Sequence, residues 1–530
     1  MGISEHAAPR RQVVIVGTGF AGLGMAIRLK QDGIEDFVIL EKAGEVGGTW
    51  RDNHYPGCAC DVQSHLYSFS FEPNPAWTRM FAPQAEILAY LRRCAEKYDL
   101  LRHIRFNRQV VGARYDERAS AWQVETADAV AMAAYAARRG LKPGDALPAG
   151  DSGAPPREQL TTQSLVLGVG GLSTPAYPDL PGLGRFEGKR FHSQDWDHGY
   201  ELAGKRVAVI GTGASAIQFV PQIQKQVARL DLYQRTPPWI MPKPDRAITR
   251  FERFLFRVLP PLQRLFRGAI WTMLESRVLG FAISPKLMKL VQRVALRHIG
   301  KQIADPALRA KVTPDYTIGC KRVLISDDYY PALAQANVDV IGGGIAEVRA
   351  HSIVTSDGVE RTVDAIIFGT GFRAIDPVAP GLIFGRGGHD LALTWRDGPE
   401  AYKGSTVAGF PNLFMIVGPN VGLGHSSMVY MIESQVAYVA AALRAMRDGG
   451  LASVEPRPEA QAAYNRRLQQ RLQRAIWSVG GCKSWYVHPS GKNVTLWPGF
   501  TWQFRRITRK FDAGNYLLTT PAPVALPAVA

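Results

Sequence analysis

Two glycine-spaced turns, each followed by a differently charged strand end, carry most of the chemistry available to this chain. Gly17, Gly19 and Gly22 form G-x-G-x-x-G after the apolar run 13–16. There the first glycine permits a tight turn, the second lets the backbone approach a pyrophosphate, and the third allows close helix–strand packing; the helix N-terminus favours the phosphates. Glu41 follows the apolar run Phe37–Leu40. A carboxylate at that position accepts hydrogen bonds from ribose hydroxyls and repels a 2′-phosphate. The expected ligand is FAD or NAD, not NADP. The pattern recurs as Gly211, Gly213 and Ala216, with Thr212, Ala214 and Ser215 among them. Here the next strand, 230–233, runs into Gln234, Arg235 and Thr236. A guanidinium and a hydroxyl replace the acid, which suits a 2′-phosphate. The two sites therefore differ as FAD and NADPH require.

The elements that must position these residues are legible in outline. Residues 13–41 read as a β-α-β unit, and residues 207–236 as a second one. A helix is expected from about Gln84 to Lys97, with strands at 104–111 and 121–126. Residues 128–159 are Ala-rich, then Pro/Gly-rich, and read as an insertion: a short helix followed by a mobile loop. Gly168 to Gly171, GVGG, make a further turn. Residues 246–311 read as amphipathic helices with arginines among Phe and Leu, broken at Pro260 and Pro261. Residues 363–372 read as a strand entering a Gly-Thr-Gly turn. Gly418, Pro419 and Asn420 open a loop before a helix over 427–447. The expected class is α/β: two Rossmann-like dinucleotide-binding domains, for FAD and NADP, with a helical insertion in the NADP domain. The first part of the FAD domain spans 1–180, the connector and NADP domain 181–375, and the C-terminal part of the FAD domain 376–530.

Phe186, Gly188, His192, Trp196 and Asp197 lie within FEGKRFHSQDWD. This segment resembles the F-x-G-x-x-x-H-x-x-x-W-[PD] fingerprint of Baeyer–Villiger monooxygenases, a class B flavin monooxygenase family. GGTWRDNHYPGCACD fits the family's pattern [AG]-G-x-W-x4-[FY]-P-[GM]-x3-D through Gly47, Gly48, Trp50, Tyr55, Pro56, Gly57 and Asp61. The resemblance runs from about residue 12 to 511. It implies that Gly17, Gly19, Phe20, Gly22, Glu41, Gly48, Thr49, Trp50, Asp61, Tyr67, Val110 and Met428 serve FAD. The second turn with Gln218, Arg235, Thr236 and Lys321 would serve NADPH, with Trp485 in a looser match. It also implies a cycle in which NADPH reduces FAD and dioxygen adds at C4a of the reduced flavin. NADP stays bound and shields the peroxyflavin from water, and the peroxide attacks a ketone to give an ester or lactone. A peroxide that must stay deprotonated needs a fixed cation beside it. Arg322 is the candidate, with Asp61 orienting it. His192, on the connector, is expected to couple domain rotation to cofactor position rather than to make bonds. The alternatives are N- or S-oxygenation by a protonated peroxyflavin, an NADPH oxidase or flavin reductase, and a membrane-surface protein with a vestigial cofactor site.

Bulk properties narrow the field further. Net charge is +17, but residues 246–311 hold 14 Lys or Arg against three acids, 14 − 3 = +11. The excess sits in one segment, so a general nucleic-acid-binding surface is not indicated. A basic amphipathic face for anionic membranes is one reading of that segment; a helical cap packed on the domains is the other. The N-terminal residues lack an apolar signal core, and no run reaches the length of about 18 residues needed to span a bilayer. Cys58, Cys60, Cys94, Cys320 and Cys482 are too few and scattered for a disulfide framework, which points to a reducing cytosol. Cys58 and Cys60 have no neighbouring histidine set, so no metal is expected. They also lack the C-x4-C spacing of a flavin disulfide reductase. The substrate is expected to be a small-molecule ketone, with a bulky or lipophilic one hinted at by the apolar helices, together with O2.

Overall fold

The computed structural model describes residues 9–141, 145, 151, 153–374 and 378–521. Each glycine turn sits at the C-terminal end of a strand in its own sheet. In the first sheet, β1 (Arg10–Val16) feeds α1 (Phe20–Gln31), which returns to β2 (Phe37–Leu40). β1 is fully buried at Val13, Val14 and Ile15, and β2 throughout, as strands covered on both faces must be. β3 (Arg108–Asp116), β4 (Ala121–Asp128) and β5 (Arg157–Leu167) extend the sheet as an antiparallel meander, and β5 lies parallel beside β1. The expected strand 104–111 is two elements, Ile104–Arg105 beside β2 and then β3, because Asn107 between them takes a left-handed φ of 56°.

The insertion is a helix, Ala129–Arg139, capped by Asp128, whose carboxylate accepts from Ala131 N. It grows directly from the end of β4, and β5 already begins at Arg157, so 157–159 belong to the sheet rather than to the insertion. Of the loop expected after the helix, residues 142–144, 146–150 and 152 lie outside the described residues.

The second sheet is five-stranded and wholly parallel. Its members are β6 (Lys189–His192), β7 (Arg206–Ile210), β8 (Arg229–Gln234), β9 (Val338–Gly342) and β10 (Ala365–Phe368), in the order β9-β8-β7-β10-β6. The fingerprint therefore supplies an edge strand, with His192 level with Phe368. The amphipathic segment folds as separate helices, Arg250–Val258, Pro260–Ser276, Met288–Gln302 and Pro306–Val312. The helical run breaks at Pro260 and Pro261 as expected, the first helix ending at Val258. These prolines open the second of the helices, where a missing N–H costs nothing. The chain then returns to the first sheet through Ile383–Phe384 beside β3 and Leu413–Met415 beside β5. The helix Met428–Asp448, capped by Ser427, packs against α1. Among the described residues, no helix is long and apolar enough to cross a membrane.

Gly22 shows how little room the first turn leaves. A Cβ placed there would lie 1.8 Å from the Gly17 carbonyl oxygen, and Gly17 itself has φ 97° with the Gly168 carbonyl 2.8 Å from its own absent Cβ. The second turn tolerates Ala216, which is fully buried opposite Gly369. Gly22→Ala must push α1 off β1, with an expected loss of about 3 kcal/mol or more. Chemical denaturation should show a lower midpoint, whereas the exposed helical Gly300→Ala control, with nothing near its Cβ, should not lower it.

Candidate active site

The first turn meets the GGTWRDNHYPGCACD stretch over three aromatic rings. Tyr67 lies edge-on to both Phe20 and Trp50, at 5.3 and 5.5 Å between ring centres, and its hydroxyl accepts from Trp50 Nε1 at 3.2 Å. Gly48 has φ 53° and its Cα approaches the absent Cβ of Gly19, so two backbones cross here with no side chain between them. Thr49 begins the short helix that carries Trp50. Met428 starts the helix whose cap, Ser427, donates to Leu66 O, next to Tyr67. Val110 is not brought to this group. It packs with the cluster on the other face of the sheet, containing Val14, Leu40 and Leu167.

Glu41 is buried, and its carboxylate is engaged by the protein itself. It accepts from Thr18 N at 2.9 Å, Thr18 Oγ1 at 2.6 Å and Ala43 N at 2.9 Å, and pairs with Arg51 Nη1 at 3.1 Å. The carboxylate read from sequence as facing a ribose is thus also bonded within the protein. Arg51 offsets its charge, so repulsion of a 2′-phosphate is weaker than an isolated acid would exert.

At the second turn, Arg235 is exposed directly after β8, and Thr212 Oγ1 donates to the Thr236 carbonyl at 3.2 Å. Lys321 comes from a different segment, its ammonium 5.1 Å from the centre of the Tyr316 ring. Burial, then the nearby Arg235 guanidinium, lowers the Lys321 pKa, partly opposed by Asp315. Two cations held close together in this way favour an anion between them.

Arg322, next in the chain, turns towards the first domain. Its Nε and Nη2 both donate to Asp61 Oδ2, at 3.0 and 2.5 Å, across 261 positions of sequence. The Asp61 carboxylate raises the guanidinium pKa above its ordinary value despite burial. The side chain is still 41% exposed, so a fixed positive charge is presented rather than sealed away. Tyr486 was not picked out by sequence reasoning. It is buried beside this pair, and burial pushes its phenol up to about 12. The only signal was its place next to Trp485, which is itself exposed and leans on Tyr486. Cys320 and Cys482 form a disulfide. The expectation of cysteines too scattered to pair fails for these two, because a separation of 162 residues in sequence closes to 6.1 Å between Cα atoms in the fold. The bond ties the Lys321–Arg322 segment to the one bearing Trp485 and Tyr486.

The fingerprint locks the two units together by packing. Gly188 has no room for a Cβ, which would lie 2.6 Å from both the Asp364 carbonyl and the Phe186 ring. Trp196 packs on Phe191 and Phe219, and Phe219 packs on Tyr55 of the first unit. Gln218, on the helix Ala216–Ile223, completes the join. Its side-chain oxygen accepts from Tyr55 OH at 3.0 Å and Ala59 N at 3.3 Å, and its Nε2 donates to Ala59 O at 3.0 Å. Asp197 pairs with Lys189 and accepts from Gly199 N. His192 is fully buried, its Nδ1 accepts from Gln194 N at 3.1 Å, and burial lowers its pKa to about 4. A neutral ring wedged between Tyr177 and Phe372 cannot act as an acid near neutral pH.

Fold and site together define a flavin-binding monooxygenase. A family model for flavin-binding monooxygenase-like proteins matches residues 165–379, and one for an NAD(P)-binding Rossmann-like domain matches 15–83. A Baeyer–Villiger monooxygenase of Pseudomonas aeruginosa is 60% identical over 98% of this chain and 94% of its own length. Another, of Streptomyces coelicolor, is 49% identical over 100% of this chain and 96% of its own. The crystal structure of cyclohexanone monooxygenase from a Rhodococcus species, bound to NADP+, superposes with a TM-score of 0.81 at 27% identity, covering 97% of this chain and 100% of that one. The chain belongs to the Baeyer–Villiger monooxygenase family of FAD-containing, NADPH-dependent monooxygenases.

If Arg235 and Lys321 hold the 2′-phosphate, Arg235→Ala should raise the KM for NADPH by about 10- to 100-fold. The KM for NADH should stay nearly unchanged. Equal losses with both nucleotides would place Arg235 outside the phosphate site.

Proposed function

We propose that the chain inserts one oxygen atom of O2 into a lipophilic ketone, giving an ester or lactone at the expense of NADPH, with Arg322 as the catalytic cation. The observation that supports this most is the Arg322–Asp61 bond between the two dinucleotide units. Oxygen insertion next to a carbonyl builds negative charge on oxygen at the reacting carbon. Stabilising that charge takes a cation that does not surrender a proton, and a guanidinium meets this need where a histidine or lysine titrates.

FAD, when bound, supplies the activation of dioxygen; the protein supplies binding, orientation and exclusion of water. Gly17, Gly19 and Gly22 would receive its pyrophosphate, and Phe20, Trp50 and Tyr67 form the apolar wall nearest that turn. The pyrophosphate of NADPH would lie at the second turn and its 2′-phosphate between Arg235 and Lys321. Asp61 holds the Arg322 plane and keeps the guanidinium protonated, which makes it a positioning residue. Two carboxylate-bound nitrogens fix the guanidinium direction, so the remaining edge can face a substrate. The preference for a lipophilic ketone rests on the inner apolar side of 246–311, where Ile270 and Leu274 pack with Leu66, next to Tyr67.

The test is a ketone panel with a thioether included, following NADPH use, oxygenated product and hydrogen peroxide together. Ester or lactone should form in step with NADPH. Arg322→Ala should cut ester formation by about 100-fold or more while flavin reduction persists. Asp61→Asn should keep bound FAD but lower kcat more than KM changes. Sulfoxide without ester would redirect the assignment to heteroatom oxidation, and peroxide alone to an oxidase.

A further inference from the structure

The helices Arg250–Val258 and Pro260–Ser276 have one face fully engaged and one face bare. On the inner face, Phe256 and Phe266 pack around His65, with ring centres at 4.8 and 5.4 Å. Gln263 Nε2 donates to Asn74 O at 2.8 Å, Arg267 Nη1 to His65 O at 2.6 Å, and Trp271 Nε1 to Thr501 Oγ1 at 3.0 Å. The outer face is apolar as well. Phe251 (68% exposed), Phe254 and Val258 recur at helical spacing on the first helix, and Leu262, Leu265 (70% exposed) and Met273 on the second. Thirteen of the 26 exposed large hydrophobic side chains among the described residues fall within 246–311, an eighth of the chain. The six just named share the outer face of this hairpin, and a contiguous set of that kind is what distinguishes a binding patch from scattered surface apolars.

The charges around this face share one sign. Arg250, Arg253 and Arg257 line a shallow cavity together with Phe254 and Ala76. Arg253 Nε is buried without a hydrogen-bond partner among the described residues. The acids of the segment are committed elsewhere. Glu252 closes a capping box with Thr249 and pairs with Arg246, Glu275 is buried and accepts from Thr501 N and Oγ1, and Asp305 caps a helix. None offsets the three arginines at the cavity.

We propose that this helical hairpin docks the protein on the surface of an anionic bilayer. Phe251, Phe254, Val258, Leu262, Leu265 and Met273 would enter the interface, and Arg250, Arg253 and Arg257 would hold a lipid phosphate. An apolar face flanked by cations fits the boundary between acyl chains and anionic headgroups, where a helix lies in the plane rather than crossing it. A second copy of the chain fits less well, because a two-fold contact through this face would set the same arginines against each other. The attachment leaves Arg322, Asp61 and both nucleotide turns untouched, and it does not depend on which substrate the enzyme oxidises.

The experiment is flotation of the FAD-loaded enzyme with phosphatidylcholine vesicles, with and without phosphatidylglycerol. The protein should float with the phosphatidylglycerol vesicles only, and less of it as salt is raised. The double variant Phe254→Asp, Leu265→Asp should lose at least about tenfold of that binding. Arg250→Gln with Arg253→Gln should weaken it and flatten its salt dependence. Both variants should keep the parent's flavin absorbance and NADPH oxidation, since these side chains face outward. Equal flotation with neutral vesicles, or undiminished binding by the Asp variant, would overturn the proposal. So would a dimer in sedimentation velocity that Leu265→Asp dissociates, which would seat a second copy there. An enzyme that makes ester but ignores vesicles refutes only the docking; one that floats but makes no ester refutes only the oxygenation.

Discussion

The bond between Arg322 and Asp61 can exist only while the two dinucleotide units hold each other in register. Asp61 follows the first unit's glycine–aromatic loop, and Arg322 leaves the second unit after its helical insertion. Nothing near either residue in sequence supplies the other. The register comes from Gln218, which reads both the hydroxyl of Tyr55 and the backbone of Ala59, and from the ring relay Phe191, Trp196, Phe219 and Tyr55. The fingerprint residues act here as packing. They fix the second sheet's edge and press it against the first unit.

That arrangement leaves the guanidinium with hydrogen-bonding capacity to spare. A fully buried guanidinium would need its whole hydrogen-bonding capacity met by protein, and desolvation would offset much of the gain. Here one carboxylate oxygen takes two donors, and a reacting group can meet the rest of the cation. The disulfide between Cys320 and Cys482 reinforces the same geometry from behind, joining the arginine's own segment to the one carrying Tyr486. The helical insertion is held from its inner side, through bonds to residues 65–74 and Thr501 and, from its later helices, to Ser326 and Asp327.

Nucleotide discrimination divides unevenly between the two sites. At the second, Arg235 and Lys321 make a clear positive pair. At the first, Glu41 is already bonded to Thr18, Ala43 and Arg51, so it organises the turn as much as it selects a ligand. Backbones approach one another there at Gly17, Gly19, Gly22 and Gly48, with no room for a Cβ at Gly17 or Gly22.

The local elements were legible in the sequence because their causes are local. Glycine spacing after an apolar run, an acid or an arginine at the next strand end, and a helix opening at Gln84 all depend on neighbours a few residues away, and the structure shows each of them. The strand at 104–111 and the limit of the insertion were misjudged for a reason of the same kind. Asn107 is a single left-handed residue within an extended run, and β5 starts on pairing with β4 rather than on its own pattern. Which residues meet across the fold was decided by tertiary structure alone. Cys320 reaching Cys482, Arg51 neutralising Glu41, Gln218 bridging two units, and Val110 falling on the far face all follow from how the sheets and the insertion pack. Sequence spacing determines what a turn can bind; only packing brings charges 261 residues apart to 2.5 Å.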